Sequence, residues 1–145
     1  MATFTNQGNS VDTYLESTQP GNNHGAETTV RVGEMNTSAE NNRTLIKWDL
    51  SSIPSGATVT SAILSIYVNG DYSDNARTMS AYRVLRNWVE GNGGAGSGAT
   101  WNVYDGTNNW GTAGAANTTT DREATNIGTA SIANNLAAAT EVQIV

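Results

Sequence analysis

The stretch from Asn42 to Val68 constrains the fold most. Two extended apolar runs, residues 44–50 and 58–68, flank a turn marked by Pro54-Ser55-Gly56. In the first run Ile46 and Trp48 alternate with Leu45 and Lys47. In the second, Ala62, Leu64, Ile66 and Val68 fall on one side, and Ser61, Ile63, Ser65 and Tyr67 on the other. Side chains alternate across a strand with period two, so both runs read as half-buried strands. A domain that buries such strands stacks two sheets face to face. Ile46, Trp48, Leu64 and Ile66 are therefore expected between them.

The same alternation predicts strands over 11–16, 28–32, 78–88 and 123–132, with another starting at 141–145. Residues 19–25 hold Pro-Gly and Asn-Asn turn signals, and 33–42 reads as a polar loop. Residues 92–98 are rich in glycine and must be mobile or tightly bent. Residues 100–116 read as a long ordered loop carrying Trp101, Tyr104 and Trp110 among Asn, Gly and Asp. Residues 134–139 suit a helical turn or a loop. Strong helix signals, internal repeats and heptads are missing. The expectation is an all-β chain: one antiparallel β-sandwich of jelly-roll type spanning 1–145.

Composition narrows the function. The 145 residues fit one domain. Only 14% are charged, and the 13 acids against 7 bases leave a net charge of −6. Phosphate binding needs clustered Lys and Arg, so nucleic acid is excluded as a partner, and an anionic membrane surface is disfavoured. With no cysteine there is neither a disulfide framework nor a thiolate metal site. No apolar run reaches the ~18 residues of a membrane span, so membrane insertion is not expected. The first residues lack the basic and apolar regions of a secretory signal.

Several side chains carry candidate chemistry. Trp101, Tyr104 and Trp110 offer flat faces for sugar rings, with Asn102, Asn108 and Asn109 to meet hydroxyls. The alternative is that these rings plug the mouth of the sandwich and order their loop. Arg31, Arg43 and Lys47 would form a small basic strip for a carboxylate, or else make surface ion pairs. Asp71 and Asp74, with Asn75 nearby, supply oxygen ligands for a structural Ca²⁺ in a turn, although the spacing fits no calcium-loop motif. No other cofactor is expected. His24 is the only histidine, and no nucleophile-elbow motif stands beside it. A glycosidase would need two carboxylates across a cleft, which spacing does not supply. The chain is not expected to be an enzyme. Asn36, Asn42 and Asn117 match the glycosylation acceptor pattern, which arises by chance in an Asn- and Thr-rich chain.

Longer motifs point to a family. They are Asp12-Thr13-Tyr14, the run from Arg43 to Pro54, Ala62 to Val68, Trp88-Val89-Glu90-Gly91, Ala99-Thr100-Trp101-Asn102 and Trp110-Gly111-Thr112-Ala113-Gly114. This pattern resembles the DNRLRE-type domain family and is similar to alginate-binding carbohydrate-binding modules. The resemblance implies a non-catalytic, surface-exposed β-sandwich that binds or attaches to polysaccharide, outside the cell or on a cell surface. Related domains run on through further closing strands, so this chain is expected to lack its last strand or strands, or to borrow them from a neighbour. A structural role is the competing reading: a virion decoration, capsid or fibre subunit, or a surface filament, sharing strands with neighbouring subunits at a virion or cell surface.

Overall fold

The computed structural model describes residues 3–5, 10–35, 39–72 and 75–145. Its central ladder pairs β1 (Ser10–Glu16) antiparallel with β3 (Glu40–Trp48), and β2 (Gly33–Met35) pairs with the start of β3. Two smaller antiparallel pairs join β4 (Leu64–Tyr67) to β7 (Glu141–Ile144) and β5 (Arg77–Ala81) to β6 (Gly128–Ile132). The strand orders are β1-β3-β2, β4-β7 and β5-β6. Among the described residues every regular element is a strand and every pairing is antiparallel, consistent with a β-sandwich.

The register sets the core. Val11, Thr13 and Leu15 of β1 stand opposite Lys47, Leu45 and Arg43 of β3, so these six side chains share one face. Leu15 and Leu45 on that face are buried with Trp88, Ala99, Trp110 and Ala115, and Val11, Val84, Trp101 and Tyr104 pack around them. The main core thus lies between the β1–β3 ladder and the aromatic loop. Residues 13–16 are all buried, so the opposite face of β1, bearing Tyr14 and Glu16, is covered too. A second apolar cluster, Ala130, Val142 and Ile144, draws in Leu64, Ile66, Val68, Met79 and Ile132 from the two strand pairs.

Several sequence expectations shift. Leu64 and Ile66 face the second cluster. Ile46 and Trp48 stay half-buried, while Leu45 on the other face of β3 is buried. The Leu45 face wins because Trp88 and Trp110 meet it there, and rings carry far more apolar area than a second small strand would. Residues 28–32 form no strand. Val30 and Val32 are exposed, and pairing begins at Gly33, inside what reads as a polar loop. The backbone groups of residues 40–42 find ladder partners in β2, and a polar side-chain pattern does not prevent that. The run 58–68 is regular only at Leu64–Tyr67, because only there does β7 supply a partner. Val59 and Ile63 before it are exposed. The expected strand 78–88 ends at Ala81 and continues as a lone bridge from Val84 to Arg122. The run 123–132 is paired from Gly128 onward. Residues 134–139 form a loop.

Candidate functional site

The aromatic loop holds its shape through backbone bonds that fold it onto itself. Val89 N–H donates to Tyr104 O at 3.0 Å, Ala99 N–H to Val89 O at 2.7 Å and Gly114 N–H to Trp101 O at 2.6 Å. Asn23, 5% exposed, rivets its glycine-rich part. Its Nδ2 donates to Glu90 O (2.6 Å) and Ala99 O (2.9 Å), and its Oδ1 accepts from Gly93 N (2.8 Å) and Ser97 Oγ (3.2 Å). Residues 92–98 are therefore tightly bent. Gly91, at φ +85°, has to be glycine, since a Cβ would collide with the Asn23 carboxamide.

The far end is closed by Asp121, which has no exposed surface. It accepts from Gly111 N (2.7 Å), Thr112 N (3.0 Å), Asn117 N (3.1 Å) and Thr120 Oγ1 (3.1 Å), and Arg86 Nε lies 3.6 Å away. Burial pushes its carboxyl upward, but the N–H donors of Thr112, Gly111 and Asn117 outweigh that, so it stays below the usual carboxylate range. Neither Asn23 nor Asp121 stood out in the sequence. Each sits in an ordinary turn composition, and only the distant partners mark it.

The rings of this loop turn inward. Trp110 is 4% exposed, and its indole N–H donates to Thr100 O at 2.9 Å. Tyr104 is half-buried, 5.7 Å from Trp110. Trp101, also half-buried, lies against Gly114 and beneath the Arg43 guanidinium, 5.1 Å from the ring centroid. The Arg43 head donates to Gly114 O at 2.5 Å. Asn102 is exposed, with its backbone N–H on Pro20 O.

The basic candidates divide between the two faces of the ladder. Arg43 and Lys47 share the core face, where Lys47 Nζ lies 4.5 Å from the Trp88 ring and donates to Trp88 O at 2.9 Å. Arg31 lies over Tyr14 on the opposite face, at 5.2 Å. Arg86 covers Tyr104 at 5.3 Å and Arg122 covers Tyr82 at 4.1 Å. Five of the seven basic residues thus sit over aromatic faces, far above the usual one per 70–80 residues. Asp71 accepts from Leu136 N–H at 2.8 Å, and Asp74 lies outside the described residues. Among the described residues no three His, Cys, Asp or Glu side chains gather as a metal cluster.

One concavity brings basic and aromatic groups together where a ligand has room. A groove of about 400 Å³ runs between β3 and residues 82–88. Ile46, Val84 and Ile127 give it apolar walls, Trp88 forms its floor, and Tyr82 offers a more accessible ring. Lys47, Arg83, Arg86 and Asn87 supply polar groups around it. Arg83 is exposed and paired with Glu123 at 3.1 Å. Of these lining residues only Lys47 is among the sequence candidates. The available signal was Arg83 and Arg86 lying within the five residues that separate Tyr82 from Trp88.

Residues 3–103 match the model of carbohydrate-binding module family 96. The chain belongs to that family. It is a carbohydrate-binding module, and the match spans the whole groove lining except Ile127. Trp101 and Asn102 fall inside the match, Tyr104 and Trp110 beyond it. No curated protein and no solved structure matches the chain. Among the described residues no helix is long and apolar enough to cross a membrane.

Proposed function

We propose that the groove beside Trp88 holds a segment of a polysaccharide chain without catalysis, on a surface-exposed, extracellular module. The observation that carries this is the joint lining of one groove by Tyr82, Trp88, Lys47, Arg83 and Arg86 within a carbohydrate-binding family. Apolar walls with a few convergent polar groups are the usual make-up of a ligand site. Three cations in one groove of a chain with net charge −6 favour a carboxylated sugar, consistent with the similarity to alginate-binding modules. A guanidinium meets a carboxylate with two parallel N–H donors. Trp101 and Arg43 do not line this groove and are a flanking contact at most. No feature of the groove or the family favours the structural-subunit reading.

Isothermal titration with oligo-uronates and with neutral oligosaccharides tests this. Arg83→Ala and Tyr82→Ala are expected to weaken uronate binding by tenfold or more with the fold retained, while Arg31→Ala on the opposite face leaves it unchanged. Uronate binding that survives both groove variants but fails in Arg31→Ala would move the site to the other face.

A further inference from the structure

The face of the ladder that bears Tyr14 carries the buried polar groups Glu16 and Asn42, with His24 stacked against it, and two polar atoms there, His24 Nε2 and Asn42 Oδ1, are buried without a hydrogen-bond partner. Glu16 is buried; its Oε1 accepts from Thr18 Oγ1 at 2.7 Å, and its Oε2 faces His24 Nε2 at 3.5 Å. The His24 side chain is nine-tenths buried, its ring stacked on Tyr14 at 4.0 Å and 12°, and its Nε2 has no hydrogen-bond partner. Asn42 stands directly opposite Glu16 in the β1–β3 register, so its side chain emerges on the same face. It is 3% exposed; its Nδ2 donates to Glu40 Oε1 at 3.0 Å, and its Oδ1 is buried without a partner. A carboxylate only accepts, so the nitrogen of that amide must face Glu40 and the oxygen is the unpaired end.

A buried polar atom without a partner is costly, and His24 Nε2 and Asn42 Oδ1 both lie at this face, with Glu16 Oε2 3.5 Å from the imidazole. We propose that Glu16 Oε2, His24 Nε2 and Asn42 Oδ1 form a binding site for a divalent first-row cation of the Zn²⁺ type. Two ligands each about 2.1 Å from a tetrahedral metal lie about 3.4 Å apart, and the Glu16–His24 separation is 3.5 Å. The imidazole selects zinc-like ions over calcium, which prefers oxygen alone. Thr18, Tyr14 and Glu40 hold the three ligands from behind, the role that outer-shell groups play at metal sites. Charge favours a cation as well, since Glu27 Oε1 lies 3.8 Å from His24 Nδ1, while Arg31 across the Tyr14 ring is the opposing positive charge. A cleft of about 320 Å³ bordered by Asn22, His24 and Glu27 opens onto the His24 side. Such an ion would fasten the turn carrying Asn23 to the ladder, and so reach the glycine-rich part of the aromatic loop.

The test is calorimetric titration of chelator-treated protein with ZnCl₂, with bound zinc counted after dialysis. One Zn²⁺ per chain is expected. His24→Ala and Glu16→Gln should each weaken binding at least tenfold, and Asn42→Asp, which adds a charge at the third position, should tighten it. Co²⁺ on the unmodified protein gives a reading that does not depend on variants folding: it should produce visible bands distinct from those of aqueous Co²⁺. Absence of saturable one-to-one uptake, uptake unchanged in folded His24→Ala, an aqueous Co²⁺ spectrum, or preference for Ca²⁺ would each overturn the site.

Discussion

Removing the Asn23 carboxamide should loosen the module more than any other single surface-loop truncation. In Asn23→Ala the carbonyls of Glu90 and Ala99 lose their donor, and Gly25 N, Gly93 N and Ser97 Oγ lose their acceptor. The bond to Ala99 O is fully buried, so no water takes its place, and leaving that oxygen bare costs about 1–3 kcal/mol. Glu90, Gly93 and Ser97 are nearer solvent and recover part of their loss. The space left by the amide adds on the order of 1 kcal/mol. The total comes to about 3 kcal/mol, a large share of the ~5–15 kcal/mol by which a domain is stable. At about 3 °C per kcal/mol for a domain of this size, Tm should fall by roughly 9 °C. Tryptophan fluorescence reports the transition, because Trp88 and Trp110 lie in the core cluster with Ala99. Asn23→Asp should also destabilise, since it keeps the acceptor but turns an anionic oxygen toward two carbonyls. A loss below about 0.5 kcal/mol in Asn23→Ala, or wild-type stability in Asn23→Asp, would refute the claim that this amide holds the loop together.

Asp121→Asn should lower stability at neutral pH by on the order of 2 kcal/mol, because one accepting oxygen facing backbone N–H groups is replaced by a donor. The folded Asp121 carboxyl lies below its unfolded value of 3.8. Its contribution is therefore complete above about pH 5 and is lost as pH falls through 3.8 and then through the folded value. Melting curves of wild type and Asp121→Asn across about pH 2.5–7, a range that brackets the unfolded value of 3.8, should draw together toward the acid end; a gap that stays constant would count against it. Gly114→Ala should cost about 2–4 kcal/mol, since φ is +75° and the new Cβ would lie 2.8 Å from Trp101 Cη2. Gly56→Ala, at φ +84° in open space, should cost only about 1–2 kcal/mol. Urea unfolding of the pair separates backbone strain from collision with the ring.

The class of fold was legible because alternation survives wherever a strand has one covered face. The run 11–16 matches β1 within a residue, and Leu64, Ile66 and Val68 do share an inward side. What alternation does not encode is whether a partner exists. Residues 58–63 repeat the pattern of Leu64–Tyr67, yet β7 reaches only the latter. The opposite error occurs at Gly33–Met35 and Glu40–Asn42, polar enough to read as loop but paired through their backbones. Pairing is a property of two segments, and the pattern of one segment sees only its own half.

The inward turn of the aromatic rings was hidden in the sequence for a related reason. A tryptophan among glycines and amides looks exposed, because its sequence neighbours are. The glycines have another use here: without side chains at Gly91, Gly98 and Gly114 the loop closes on Asn23 and on Trp101, and that closure carries Trp110 into the core. Once the rings face inward, the cations that might have lined a strip are drawn onto their π-faces, Arg43 onto Trp101 and Lys47 onto Trp88. The long stems of Lys and Arg bury well against rings while the heads stay polar. In the proposed reading the binding surface lies where this layer of rings and cations meets solvent, along Tyr82, Arg83 and Arg86. The composition that suggested an exposed aromatic platform thus builds a largely packed one, and the proposed groove lies at its edge.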